Sequence, residues 1–153
     1  MKTKTIITEL TQEDLVNLLC TATCGSDWLD CYAPDRQHIV NEEGDCREDI
    51  WAKVLLAGDK IICTDYYAEG ETYGDLESKI VGLGNAEYSV SLQDIINGLQ
   101  KCADGTSKDA DKYADRGFLA RCYDDFSNDG RDWDMVEADA LMQIILFGEL
   151  VYG

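Results

Sequence analysis

Four times along the chain, a side chain able to cap a helix is followed three residues later by a carboxylate, and apolar residues at helical spacing run on from there. The pairs are Thr11 with Asp14, Asp45 with Glu48, Ser91 with Asp94, and Asp134 with Glu137. A capping oxygen accepts from the otherwise unpartnered amides of the first turn, and the acid complements the positive helix end, so each pair marks a helix start. The buried faces that follow are Leu15, Val16, Leu18, Leu19 and Ala22; then Ile50, Trp51, Val54 and Leu55, stopped at Gly58. A third face is Leu92, Ile95, Ile96, Leu99 and Cys102, and a fourth is Val136, Ala140, Leu141, Ile144 and Ile145, ending at Gly148. Leu10 and Val90, one residue before their caps, are placed to staple onto Leu15 and Ile95. A weaker pattern at 109–122, following a polar break at 104–108, predicts a fifth helix with Tyr113, Phe118 and Cys122 along one side.

Between the second and third helices the periodicity changes. The run from Lys60 to Tyr67 is rich in β-branched and aromatic residues, which suit a pleated, half-buried strand, and Glu87-Tyr88-Ser89-Val90 alternates as a partner strand would. A turn falls at Glu69-Gly70-Glu71, after which Thr72-Tyr73 can continue the pairing. The expected architecture is α+β: four to five helices packed on a small antiparallel sheet of two to three strands. With 153 residues, no internal repeat and no long linker, residues 1–153 are expected to form a single domain.

Charge is the unusual property. The chain carries 31 acids against 13 bases, a formal charge of −18, and residues 1–60, 61–105 and 106–153 each contribute −6. An excess spread so evenly must coat the folded body, which then repels nucleic acid and anionic membrane and attracts basic protein surfaces. The first nine residues hold an apolar run too short for a signal peptide, and no stretch of the sequence is long and apolar enough for a membrane span. Seven cysteines, an odd number, fit a reducing compartment, so the expected location is the cytoplasm.

Motifs for chemistry are sparse, and the chain is not expected to be an enzyme. His38 is the only histidine and has no Ser or Cys partner pattern; no Walker-type loop, serine elbow or metalloprotease helix is present. Gly82-Leu83-Gly84-Asn85 reads as a turn, since it lacks the third glycine and the preceding strand of a dinucleotide site. Cys20, Cys24, Cys31 and Cys46 raise the question of zinc, but only Cys20 and Cys24 form a close pair and no second knuckle follows, so no metal or other cofactor is expected. Cys20, Cys63 and Cys102 fall on apolar faces, where a thiol acts as a small hydrophobe. The segment Asp125-Phe126-Ser127-Asn128-Asp129-Gly130 looks like the opening of an EF-hand loop, yet the twelfth position is Val136 and the only nearby glutamate, Glu137, comes one residue late. A calcium-regulated protein is therefore kept as an alternative reading.

The acids themselves are the stronger feature. Between Cys122 and Asp139 lie Asp124, Asp125, Asp129, Asp132, Asp134, Glu137 and Asp139 against one base, Arg131. Carboxylates on a rigid scaffold, interleaved with aromatic rings, imitate a nucleic-acid strand and fit the basic groove of a protein that binds one. Asp65, Glu69 and Glu71, among Tyr66, Tyr67 and Tyr73, extend such a surface from the sheet. The alternative within the same class is a module that reaches its partner through an apolar patch, Phe147, Leu150, Val151 and Tyr152, with the acids serving solubility.

The segments "EDLVNLLCTA" near the start and "ADALMQIILFGELVYG" at the end resemble those of a family of small acidic proteins encoded by phages and integrative elements of gut bacteria. The resemblance rests on structural motifs at both ends and carries over no catalytic residue. It implies an anti-defence setting, in which an anti-CRISPR-like or anti-restriction-like inhibitor acts in the host cytoplasm as a DNA mimic. The implied partner is a host protein with a basic nucleic-acid-binding surface, with no direct binding of nucleic acid or membrane; the oligomeric state is left open.

Overall fold

The computed structural model describes residues 9–35, 39–104 and 133–152. In chain order these form α1 (Gln12–Gly25), β1 (Leu29–Tyr32), α2 (Arg47–Leu56), β2 (Ile61–Asp65), β3 (Ser78–Val81), β4 (Asn85–Val90), α3 (Leu92–Asp104) and α4 (Met135–Phe147). The architecture is α+β, with four described helices and a four-stranded antiparallel sheet in the order β1-β2-β4-β3. The helix expected at 109–122 lies outside the described residues.

Three of the four helix starts fall where the caps place them. Thr11 Oγ1 accepts from the Asp14 amide at 3.1 Å while Asp14 Oδ2 accepts from the Thr11 amide at 2.9 Å. Ser91 and Asp94 repeat this exchange at 3.1 and 2.9 Å, and Asp134 and Glu137 at 2.8 and 3.0 Å. Each such cap contributes about 1 kcal/mol. The second helix starts one residue later than expected. Its N-cap is Cys46, whose amide and thiol both donate to Asp49 Oδ2, at 3.0 and 3.1 Å. Asp45 instead braces the preceding loop, accepting from the Glu42 amide at 2.9 Å and from Lys53.

The sheet has more strands than the expected two to three. β1 is a four-residue edge strand in which Leu29 and Cys31 face inward, a pattern with too few alternations to stand out from a loop. Thr72-Tyr73 forms no strand: the Tyr73 amide donates to the Tyr88 hydroxyl at 2.9 Å, and the chain pairs again only at Ser78–Val81. Gly82-Leu83-Gly84 closes the β3–β4 hairpin, so a strand does precede these glycines, but another strand follows them and not a helix.

α4 is the centre of the core. Nine of its thirteen residues, Ala138 and Ala140 through Phe147, are buried, as a helix apolar nearly all round must be. It packs against both α1 and α3, and α1 packs in turn against α2. Val136, expected in this core, is 65% exposed, because it lies in the first turn before the helix enters the interior at Ala138. The inward side of the sheet supplies Leu29, Cys31, Ile61, Cys63, Ala86, Tyr88 and Val90. Phe147 joins the layers, its ring 5.3–5.8 Å from those of Trp28, Tyr73, Tyr88 and Tyr152.

Candidate interaction surface

The acids singled out in the sequence divide by what the fold does with them. Asp124, Asp125, Asp129 and Asp132 lie outside the described residues, as do His38 and the EF-hand-like segment. Asp65 does not belong to an outer surface. It is fully buried at the end of β2, on the same side as Ile61 and Cys63, with Oδ2 accepting from the Tyr152 hydroxyl at 2.6 Å and Oδ1 from the Tyr67 amide at 2.9 Å. Burial raises its pKa against the opposing pull of those two hydrogen bonds. The Tyr152 hydroxyl is pushed well up, by burial first and by the Asp65 contact second.

Asp139 is likewise spent inside the fold. Its Oδ2 accepts from Ser26 Oγ at 2.9 Å and Trp28 Nε1 at 3.2 Å, and its Oδ1 from Gln143 Nε2 at 2.6 Å, tying α4 to the segment between α1 and β1. Asp134 and Glu137 are near the surface but satisfy each other's amides in the α4 capping box. The terminal group Phe147, Leu150, Val151 and Tyr152 also turns inward: the first two are buried and the last two half-buried, so they form no open apolar patch.

Glu69 and Glu71 are exposed, and the fold sets two further acids beside them in sequence, Asp75 and Glu77. All four lie on the connection between β2 and β3, which has no base between Lys60 and Lys79. That base-free run was visible in the sequence and is the signal that finds Asp75 and Glu77. The connection is held at several points: the Gly70 amide donates to the Gly84 carbonyl at 2.8 Å, Glu71 to Ala68 at 3.0 Å, and Ser89 to Glu77 at 2.9 Å. Glu69 and Gly70 turn the chain with φ of +52° and +82°. At Gly74, also at positive φ, an added Cβ would stand 2.8 Å from the Phe147 carbonyl oxygen, so only glycine lets this loop rest on the end of α4. Tyr66 and Tyr67, 47% and 51% exposed, flank the run.

The cations on the described surface are largely occupied. Arg47 bridges Asp30 and Glu48 at 3.1 Å each, Lys53 pairs with Asp45, and Lys60 and Lys79 lie 3.8 Å from Glu77 and Glu87. An open cleft of about 700 Å³ lies beside the acidic loop, lined by Tyr73, Asp75, Lys101, Phe147 and Glu149 among others.

The thiols fall into separate groups. Cys31 and Cys63 are directly opposed across β1 and β2, buried, with Sγ atoms 3.4 Å apart. The hydrogen bond to Cys63, and then burial, hold the Cys31 thiol well above its ordinary pKa. Cys102 is buried on α3 and pushed up to about 12 by desolvation. Cys20, expected on an apolar face, is instead half-exposed and 4.0 Å from Cys24.

Fold and surface together define an acidic α+β protein with a braced, base-free acidic loop. No protein-family model matches the chain, and no curated protein or solved structure matches it. Among the described residues no helix is long and apolar enough to cross a membrane.

Proposed function

We propose that the chain is an acidic binding protein that blocks a host nucleic-acid-binding defence enzyme by occupying its basic groove in place of nucleic acid. The observation that carries this reading is the braced loop from Tyr66 to Glu77: four exposed carboxylates with no base between them in sequence, of which Glu77 is shared with Lys60 at 3.8 Å, and two exposed tyrosines on a scaffold of net charge −18. A polyanion site needs negative charge that is fixed in place, because ordering a mobile chain on binding costs free energy that a rigid loop avoids. Asp124, Asp125, Asp129 and Asp132 add to the same reading by their density in sequence. Asp65 and Asp139 have no part in it, and Asp134 and Glu137 contribute only their residual field.

The mechanism is competitive. Long-range attraction speeds encounter with a lysine- and arginine-rich channel, and the tyrosines supply stacking area where bases would lie. Salt near the physiological range screens such attraction beyond about 8 Å, so inhibition should weaken as salt rises. Low-salt capture from a host lysate should retain a basic nucleic-acid-binding protein. Charge reversal at Glu69, Glu71 and Asp75 should release it, as should reversal at Asp124, Asp125, Asp129 and Asp132. Capture or inhibition that is indifferent to salt and survives both sets of reversals would refute competition by charge.

A further inference from the structure

Cys20 and Cys24 lie one turn apart near the end of α1, and the first turn of α2 brings a Glu48 carboxylate oxygen to the same place. The three donor atoms all fall within 4.8 Å of one another. The two sulfurs are 4.0 Å apart. Two thiolates bound to one tetrahedral zinc at about 2.3 Å are separated by roughly 3.8 Å, so the pair already stands at ligand spacing. From these distances we infer that Cys20, Cys24 and Glu48 form a zinc site in which the fourth position is left to water.

The surroundings fit a cation. The last turn of α1 carries no basic residue, so the negative end of the helix dipole meets no competing charge from its own helix. Glu48 is buried, and Arg47 Nε donates to its Oε1 at 3.1 Å, fixing the carboxylate as hydrogen bonds to metal-bound carboxylates do. Thiolate ligands select zinc over the hard cations magnesium and calcium. Cysteine binds zinc as the thiolate, so binding releases protons and should tighten as pH rises. Spacing along the sequence hides the site, because its third ligand comes from another helix.

A bound ion would clamp the end of α1 to the start of α2, the helix that α1 packs against besides the core helix α4. This role is independent of the proposed polyanion mimicry.

The test uses the full chain, reduced and stripped with a chelator, titrated with Co²⁺ and then Zn²⁺. One cobalt per chain should bind with a sulfur-to-cobalt charge-transfer band in the near ultraviolet, and one equivalent of zinc should abolish the band. C20S and C24S should each lose most of that band. E48Q should weaken zinc by roughly tenfold or more, since removing even a supporting group costs that much. C122S should bind as the wild type does. In the unaltered protein, zinc should shield Cys20 and Cys24 from alkylation, mapped by mass spectrometry, which keeps the test valid if a variant fails to fold. Absence of a charge-transfer band, equal alkylation of Cys20 and Cys24 with and without zinc, or loss of binding in C122S would each overturn the assignment.

Discussion

Replacing Tyr152 by phenylalanine deletes a single hydroxyl, and the consequence follows from the carboxylate it serves. Asp65 is fully buried and receives two hydrogen bonds, from Tyr152 at 2.6 Å and from the Tyr67 amide at 2.9 Å. A hydrogen bond to a charged group contributes about 1.5–3 kcal/mol, and Y152F forfeits one while leaving the buried charge in place. At about 2–4 °C per kcal/mol for a chain of this size, the melting temperature at neutral pH should fall by roughly 3–12 °C. D65N should cost less than Y152F, because it removes the desolvated charge and keeps a carbonyl acceptor. The pH dependence has a definite sign. Burial raises the folded pKa of Asp65, so the folded state binds the proton more tightly than the unfolded chain. The stability this gives is full below the unfolded carboxylate value of about 3.9 and is lost as pH rises through the folded pKa. The wild type should therefore lose stability relative to D65N on going from acid to neutral pH. Urea unfolding followed by tryptophan fluorescence, repeated from about pH 4 to pH 8, measures both effects. A Y152F loss under about 0.5 kcal/mol, or a difference between wild type and D65N that is flat with pH, would refute the reasoning. D65N should also leave partner capture intact.

Two other perturbations test the packing around α4. Gln143 is buried and fully used: its Oε1 accepts from the Val151 and Tyr152 amides at 2.8 Å each, and its Nε2 donates to Asp139 at 2.6 Å and to the Tyr152 carbonyl at 3.2 Å. Q143M keeps the volume but strands two amides, so chemical denaturation should show a loss of about 2–4 kcal/mol. Gly98 on α3 meets Ile145 so closely that an added Cβ would lie 2.5 Å from its Cγ1 and 2.8 Å from its Cα. G98A should lower thermal stability, since overpacking costs about 1–3 kcal/mol against a helix-propensity gain of at most about 1 kcal/mol. An unchanged or higher melting temperature would contradict the close approach of α3 and α4.

The helices were legible because capping is local chemistry, settled within four residues. The miss at α2 shows the limit of that rule. Asp45-Cys46-Arg47-Glu48-Asp49 offers two overlapping boxes, and a carboxylate is by far the commoner cap than a thiol. In the fold the helix starts at Cys46, whose amide and thiol donate to Asp49, while Lys53 and the Glu42 amide engage Asp45 outside the helix start. Strands are harder for the reason that β1 shows: four residues give two alternations, and their meaning depends on β2 lying alongside. The pairing of Cys20 and Cys24 with Glu48 depends in the same way on α1 meeting α2.

The acids went astray for a different reason, which the sequence did contain. A carboxylate has the same letter whether it caps a helix, sits at the core or faces solvent, so counting acids overstates the charge available to a partner. Alternation distinguishes them. Ile61, Cys63 and Asp65 occupy successive inward positions of one strand, and the first two are apolar, which places Asp65 inside with them. Asp139 lies on a helix apolar almost all round, four residues before Gln143, where a polar side chain has little choice but an internal partner. Apply the same test to the run from Glu69 to Glu77 and the outcome reverses: no strand or helix period claims these acids, and no base lies among them. Apart from Glu77, which Lys60 approaches to 3.8 Å, charge at such positions acts outward, which is why the binding surface is better sought on the β2–β3 connection than wherever acids are merely densest.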